Sequence, residues 1–168
     1  MASYSSSSIG LAPARLLPVT GAFALPFTAY FLYLSGRCVQ YRLRDEHWIG
    51  DDSSKKDSDS PSGKSVVANQ GDKYNDLLVS TRAHANFAEN VPLAFILAGI
   101  AEINGANRKV LTGVLTTLFA LRVLHADFGL IRPGSMAAGR PIGYFGTAGV
   151  LGALAGYSAW LVKDFWGL

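Results

Sequence analysis

Charge is scarce in this sequence. Asp, Glu, Lys and Arg make up 16% of its 168 residues, against roughly 25% in an average soluble domain. The deficit is uneven and leaves long windows that water would solvate poorly. Cysteine is scarcer still: the single Cys38 excludes an internal disulfide framework and any cysteine-rich metal site. His47, His84 and His125 show no ligand spacing, so no metal is expected. Phosphate loops, nucleotide fingerprints and nucleophile elbows are missing too, and no nucleic-acid partner is expected. The N-terminus also lacks the pattern of a cleavable signal. Arg15 is the only basic residue before the first apolar stretch, which is too long for a signal core and has no clean small-x-small exit.

What the chain does have is apolar length. It is 49% hydrophobic, with a positive mean hydropathy. Four windows, Leu16–Leu34, Leu77–Ile103, Val110–Ile131 and Ile142–Val162, approach or exceed the roughly 20 residues that cross a bilayer core. Barrel strands need only about ten residues and alternate in polarity. Lipid otherwise permits only helices, which pair their backbone internally. The expected fold is all-α, an integral membrane four-helix bundle. The connections around Asn104–Lys109 and Arg132–Arg140 are short and carry Gly or Pro, which makes successive helices antiparallel neighbours in an up-down bundle. A polar tail at 1–15 precedes a membrane domain at 16–166. Between the first two spans, residues 51–70 are expected to form a disordered cytosolic loop. Within it Asp51–Lys64 contains no hydrophobic residue to offset chain entropy. Gly143, Gly146, Gly149 and Gly152 recur every third residue and Gly152 pairs with Gly156, a small-residue ladder suited to close helix packing in lipid. Loops one and three carry nine basic residues against four on the opposite side, so those loops should be cytosolic and both termini lumenal.

Function shows in the polar residues within the spans. Arg82, Asn86 and Glu89 stand at i, i+4 and i+7 and share one helical face. Arg82 and Glu89 are about 10.5 Å apart along the axis, too far for a direct pair. Each wants a partner from another helix, another subunit or a ligand. Arg122, His125 and Asp127 repeat the anomaly near the end of the third span, and Arg140 and Tyr144 open the fourth. The first span exits through Arg37, Arg42 and Arg44. Chain parity gathers all of these into one interfacial layer, a cationic, hydrogen-bonding cleft beside lipid. Individually, the arginines of the first helix could be snorkelling anchors, His125 a structural hydrogen bonder and Tyr144 an aromatic-belt residue. Glu89 and Asn86 snorkel poorly, and a charge at membrane depth costs about 2.5–3.5 kcal/mol on insertion scales.

The segment TRAHANFAENVP resembles the second-helix signature of the MAPEG family (membrane-associated proteins in eicosanoid and glutathione metabolism), R-x-x-x-N-x-x-E-x-x-P. Arg82, Asn86, Glu89 and Pro92 match at each position. LRVLHADFGL resembles the family's third helix, GRPIGYFGTAG its fourth, and YRLRDEHWIGDD the Arg-rich exit from its first. The resemblance covers roughly Leu16 to Trp166. Asn90 and Gly129 stand where several eicosanoid enzymes have Tyr, and Pro141 where the prostaglandin enzyme has Ser. In these respects the chain looks closer to the bacterial and fungal branch.

The resemblance implies a homotrimer binding glutathione between neighbouring subunits in an intracellular membrane such as the endoplasmic reticulum. Arg82, Asn86 and Glu89 would hold the tripeptide's charged groups. Arg42 and His125 would add contacts, Tyr144 would shape the site, and Arg140 would stabilise the thiolate. The implied activity is a glutathione transferase or glutathione-dependent peroxidase acting on lipophilic electrophiles or lipid hydroperoxides. The alternative is a non-catalytic membrane adaptor or lipid-presenting protein of the same fold. An ion pathway fits less well, because the charges cluster at one interface instead of crossing the membrane.

Overall fold

A computed structural model describes residues 16–44, 46, 49, 76–131 and 137–167. The 1–15 tail, the 51–70 loop and His47 lie outside the described residues. Four long helices make up the chain: α1 (Pro18–Arg44), α2 (Asp76–Ile103), α3 (Arg108–His125) and α4 (Gly139–Leu161). A π-helical turn, Ala126–Leu130, prolongs α3, and a short 3-10 turn, Lys163–Trp166, follows α4. No strand occurs among the described residues. Pro26 and Pro92 sit inside α1 and α2, and both helices run through them.

Contacts at the helix ends set the antiparallel order. Pro18 opens α1, and the next two N–H groups have no acceptor inside the helix. The Glu102 carboxylate, at the far end of α2, accepts from both: Val19 N at 2.7 Å and Thr20 N at 2.8 Å. A carboxylate there also complements the positive end of the helix dipole. At the opposite end Arg44 of α1 pairs with Asp76 of α2 at 2.9 Å. The α2–α3 turn closes by a double bond pattern, Ala106 N to Ala101 O at 3.0 Å and Gly105 N to Glu102 O at 3.2 Å. This closure places Gly105 at a φ of +84°, where a side chain would be strained. Asn107 then caps α3, accepting from Lys109 N at 2.9 Å, while its own N–H donates to the Tyr157 hydroxyl of α4 at 3.0 Å.

The core is aromatic and small-residue. Phe27 of α1 meets Phe95 of α2 and Phe119 of α3 edge-on, with ring centroids at 4.9 and 5.1 Å. Ala83, Ala94, Ala98 and Ala101 bury the inner face of α2. Large apolar side chains also point outward, Leu25 at 78% and Phe145 at 71% exposed. Hydrocarbon would solvate that surface and water would not. Three helical segments, Pro18–Arg44, Asp76–Ile103 and Arg108–Leu130, are long and apolar enough to cross a membrane. The sequence reading expects four. The 23 residues of α4 span about 34 Å without an ionised residue after Arg140, but glycines and Tyr144, Tyr157 and Trp160 dilute its hydropathy. α1 also differs from expectation: it continues past Leu34 to Arg44, carrying the basic exit within the helix.

The glycine ladder needs correcting. A Cβ on Gly139 would lie 2.6 Å from the Phe128 carbonyl oxygen, one on Gly143 2.7 Å from that of Leu121, and one on Gly146 2.6 Å from the Leu121 side chain. These glycines pack α4 onto α3 and the π turn. Gly149, Gly152 and Gly156 meet nothing within 4 Å. At 3.6 residues per turn, glycines every third position wind around the helix, and Gly152 ends about 180° from Gly143. The packed face is instead the 139, 143, 146 set, spaced four and three.

Candidate functional site

The close α3–α4 approach brings the polar residues of three helices to one end of the bundle. Between α2 and α4 lies a groove of about 750 Å³, lined by Arg82, Asn86 and Glu89 from α2, His125 from α3, and Arg140, Pro141 and Tyr144 from α4. Leu78, Val79, Ala85 and Leu130 supply its apolar wall. The groove thus brings together six of the seven residues that the family resemblance implies for the site. The seventh, Arg42, lies on α1 in the same layer but does not line this groove.

Helical periodicity accounts for the α2 wall, since Arg82, Asn86 and Glu89 fall on one face. Arg82 and Glu89 are exposed, and neither has a hydrogen-bond or ion-pair partner among the described residues. One cation and one anion are thus left available to a ligand carrying both signs. His125 is 5% exposed and its Nδ1 lies 2.9 Å from the Arg140 carbonyl. A carbonyl can only accept, so Nδ1 carries the proton, and in the neutral ring Nε2 is the acceptor. The same bond ties His125 to the start of α4, where Arg140 emerges. Tyr144, one turn on, is 53% exposed and stands edge-on to Phe145 at 5.3 Å.

Gly129 explains itself here. A Cβ at that position would lie 2.5 Å from the Arg140 nitrogen and 2.9 Å from the Gly139 carbonyl carbon, so any side chain there would force α4 away. The π turn, a feature that often marks functional sites, carries this glycine against the root of Arg140.

Behind the groove lies Arg122, 2% exposed. It donates to Asn86 Oδ1 at 2.5 Å and to the Gly143 carbonyl at 2.7 Å. Its unusual position is visible in the sequence, but its partners are 36 and 21 residues away and no local pattern announces them. A second polar cluster stands apart, between α1 and the π turn. There Asp127 accepts from Tyr30 at 2.8 Å and from Arg37 at 3.5 Å, while Arg37 sits over the Tyr33 ring at 5.8 Å. Its members satisfy one another and do not line the groove.

The family model described as MAPEG family matches residues 20–160. No curated protein and no solved structure matches the chain.

Proposed function

Because the chain belongs to the MAPEG family, we propose that this integral membrane protein binds glutathione in the groove between α2 and α4 and uses it against lipophilic electrophiles or lipid hydroperoxides. The observation that supports this reading most is the convergence of Arg82, Asn86, Glu89, His125, Arg140 and Tyr144 on one groove. Its volume falls in the range of about 300–1,000 Å³ usual for ligand sites. The donor set suits the tripeptide: the Arg82 guanidinium for a carboxylate, the Arg140 guanidinium for the sulfur, the Glu89 carboxylate for an ammonium, and the Asn86 amide and Tyr144 phenol for remaining polar groups.

Bound glutathione would supply a thiol nucleophile and reductant. Arg140 would hold the sulfur as thiolate, since a free thiol ionises near about 8.5 and an adjacent cation lowers that value. An arginine suits the role because its charge is permanent and its donors are fixed in a plane. Arg82 and Glu89 would orient the peptide ends, and the His125–Arg140 carbonyl bond would stiffen the backbone that carries the cation. The apolar wall of Leu78, Val79 and Leu130 would admit a second substrate from the bilayer.

In this reading the basic end of the bundle faces the cytosol in an intracellular membrane, and the functional unit is a homotrimer. Arg42, in the polar layer but outside the groove of its own chain, would then complete the site of a neighbouring copy. The test is turnover in proteoliposomes, with 1-chloro-2,4-dinitrobenzene and a fatty-acid hydroperoxide as second substrates. Glutathione-dependent turnover of either, reduced about 10²–10³-fold in Arg140→Ala, supports the enzyme. Saturable glutathione binding with no turnover of any electrophile supports the lipid-presenting alternative instead.

A further inference from the structure

Arg122 is the most deeply buried cation among the described residues, and no carboxylate pairs with it there. A guanidinium has donors only. Nη1 points at Oδ1 of Asn86 and Nη2 at the Gly143 carbonyl, while Nε has no partner. The first of these bonds decides how Asn86 meets the groove. An asparagine amide carries one acceptor and one donor end, and which end faces where is set by its hydrogen-bond partners. With a buried cation behind it, Asn86 must turn its oxygen inward. The flipped amide would set one donor against another beside a guanidinium that is 2% exposed. The amino group, Nδ2, is the end left for the groove, and no described residue takes it up.

We propose that Arg122 is a positioning residue that locks the Asn86 amide with its amino group toward the groove, so that this point of the wall reads an acceptor oxygen of the ligand and refuses an ammonium. The ligand's identity rests on the glutathione reading; the lock does not. Asn86 and Glu89, three residues apart on one face, then present opposite polarities: a donor at 86 and a carboxylate at 89. The oxygen read by Asn86 is a carboxylate or a peptide carbonyl, and ligand analogues separate the two.

The test uses two substitutions on the full chain in detergent. Asn86→Asp keeps an acceptor for Arg122 but removes the amino group. Asn86→Leu removes both. Without ligand, Asn86→Asp should melt within about 2 °C of wild type and Asn86→Leu about 6 °C or more below it, on the scale of a lost buried partner in a chain of this size. Equal losses in the two variants would overturn the lock, whether or not the wild type binds glutathione.

With glutathione, Asn86→Asp should weaken binding at least tenfold relative to wild type. Analogues amidated at the glycyl carboxylate or decarboxylated at the glutamyl carbon identify the oxygen. If Asn86 reads a carboxylate, the penalty falls below twofold for the analogue lacking it. If it reads a peptide carbonyl, the penalty persists for both. Unchanged glutathione affinity in Asn86→Asp, with its melting temperature kept, would show that the amino group does not face the ligand and would overturn the proposal. Absence of glutathione binding to wild type would instead defeat the proposed function, and the melting comparison alone would then decide the lock.

Discussion

Glu102 and Glu89 sit on the same helix, and their surroundings are opposite. Both oxygens of Glu102 close on backbone N–H groups at the start of α1. Glu89 borders a groove and has no partner among the described residues. The contrast extends to the two ends of the bundle. At the Glu102 end, Asn107 caps α3 and Tyr157 accepts from the Asn107 N–H, so polar groups there complete the fold. At the Glu89 end, Arg82 is likewise open, and the bonds that Arg122 and His125 make converge on Asn86 and the Arg140 carbonyl, both at the groove. A polar residue within a membrane span is therefore not by itself a site. What separates Glu102 from Glu89 is whether the fold uses the group.

Substitutions can sharpen that division. Arg140→Ala should cost the most in function, a fall in kcat/KM of about 10²–10³ fold, the usual scale for one electrostatic stabiliser of a developing charge. Its melting temperature should stay close to wild type, because the side chain is exposed. Gly143→Ala should cost both stability and turnover. Its Cβ would press on the His125 side chain and on the Leu121 carbonyl oxygen at 2.7 Å, and overpacking of this kind costs about 1–3 kcal/mol. Thermal unfolding in detergent should show the loss, and turnover should fall with it because His125 and the Gly143 carbonyl both serve the groove. Glu102→Ala should remove about 1–2 kcal/mol of stability by orphaning two N–H groups and leave turnover at the wild-type value. Asp76→Asn, which breaks a pair with a half-exposed Arg44, should change stability by less than about 1 kcal/mol. Reduced turnover in Glu102→Ala, without unfolding, would break the division.

How much of this was legible in the sequence follows from range. Arg82, Asn86 and Glu89 were readable as one face because helical periodicity is local and survives packing. Chain parity placed Arg140, Tyr144 and His125 at the same end, since antiparallel helices return every second end to one side. Glu102 gave no such signal: its partners lie more than eighty residues away, and a carboxylate at a helix C-terminus reads locally as misplaced against the dipole. The glycines of α4 misled because sequence spacing alone does not say which face is covered. The Gly139, Gly143, Gly146 set emerges only once α3 lies against it. Gly129 stood out in the sequence as a departure from the eicosanoid enzymes; beside Arg140 it is a steric requirement.

The most direct measurement is an equilibrium titration of detergent-purified protein with glutathione, run side by side on wild type, Glu89→Gln and Glu102→Gln. Saturable binding to wild type is expected, with affinity kept in Glu102→Gln and weakened by about tenfold or more in Glu89→Gln, the scale of one charge-assisted hydrogen bond. Equal affinity in all three proteins, or no saturable binding to wild type, would contradict the assignment of the groove.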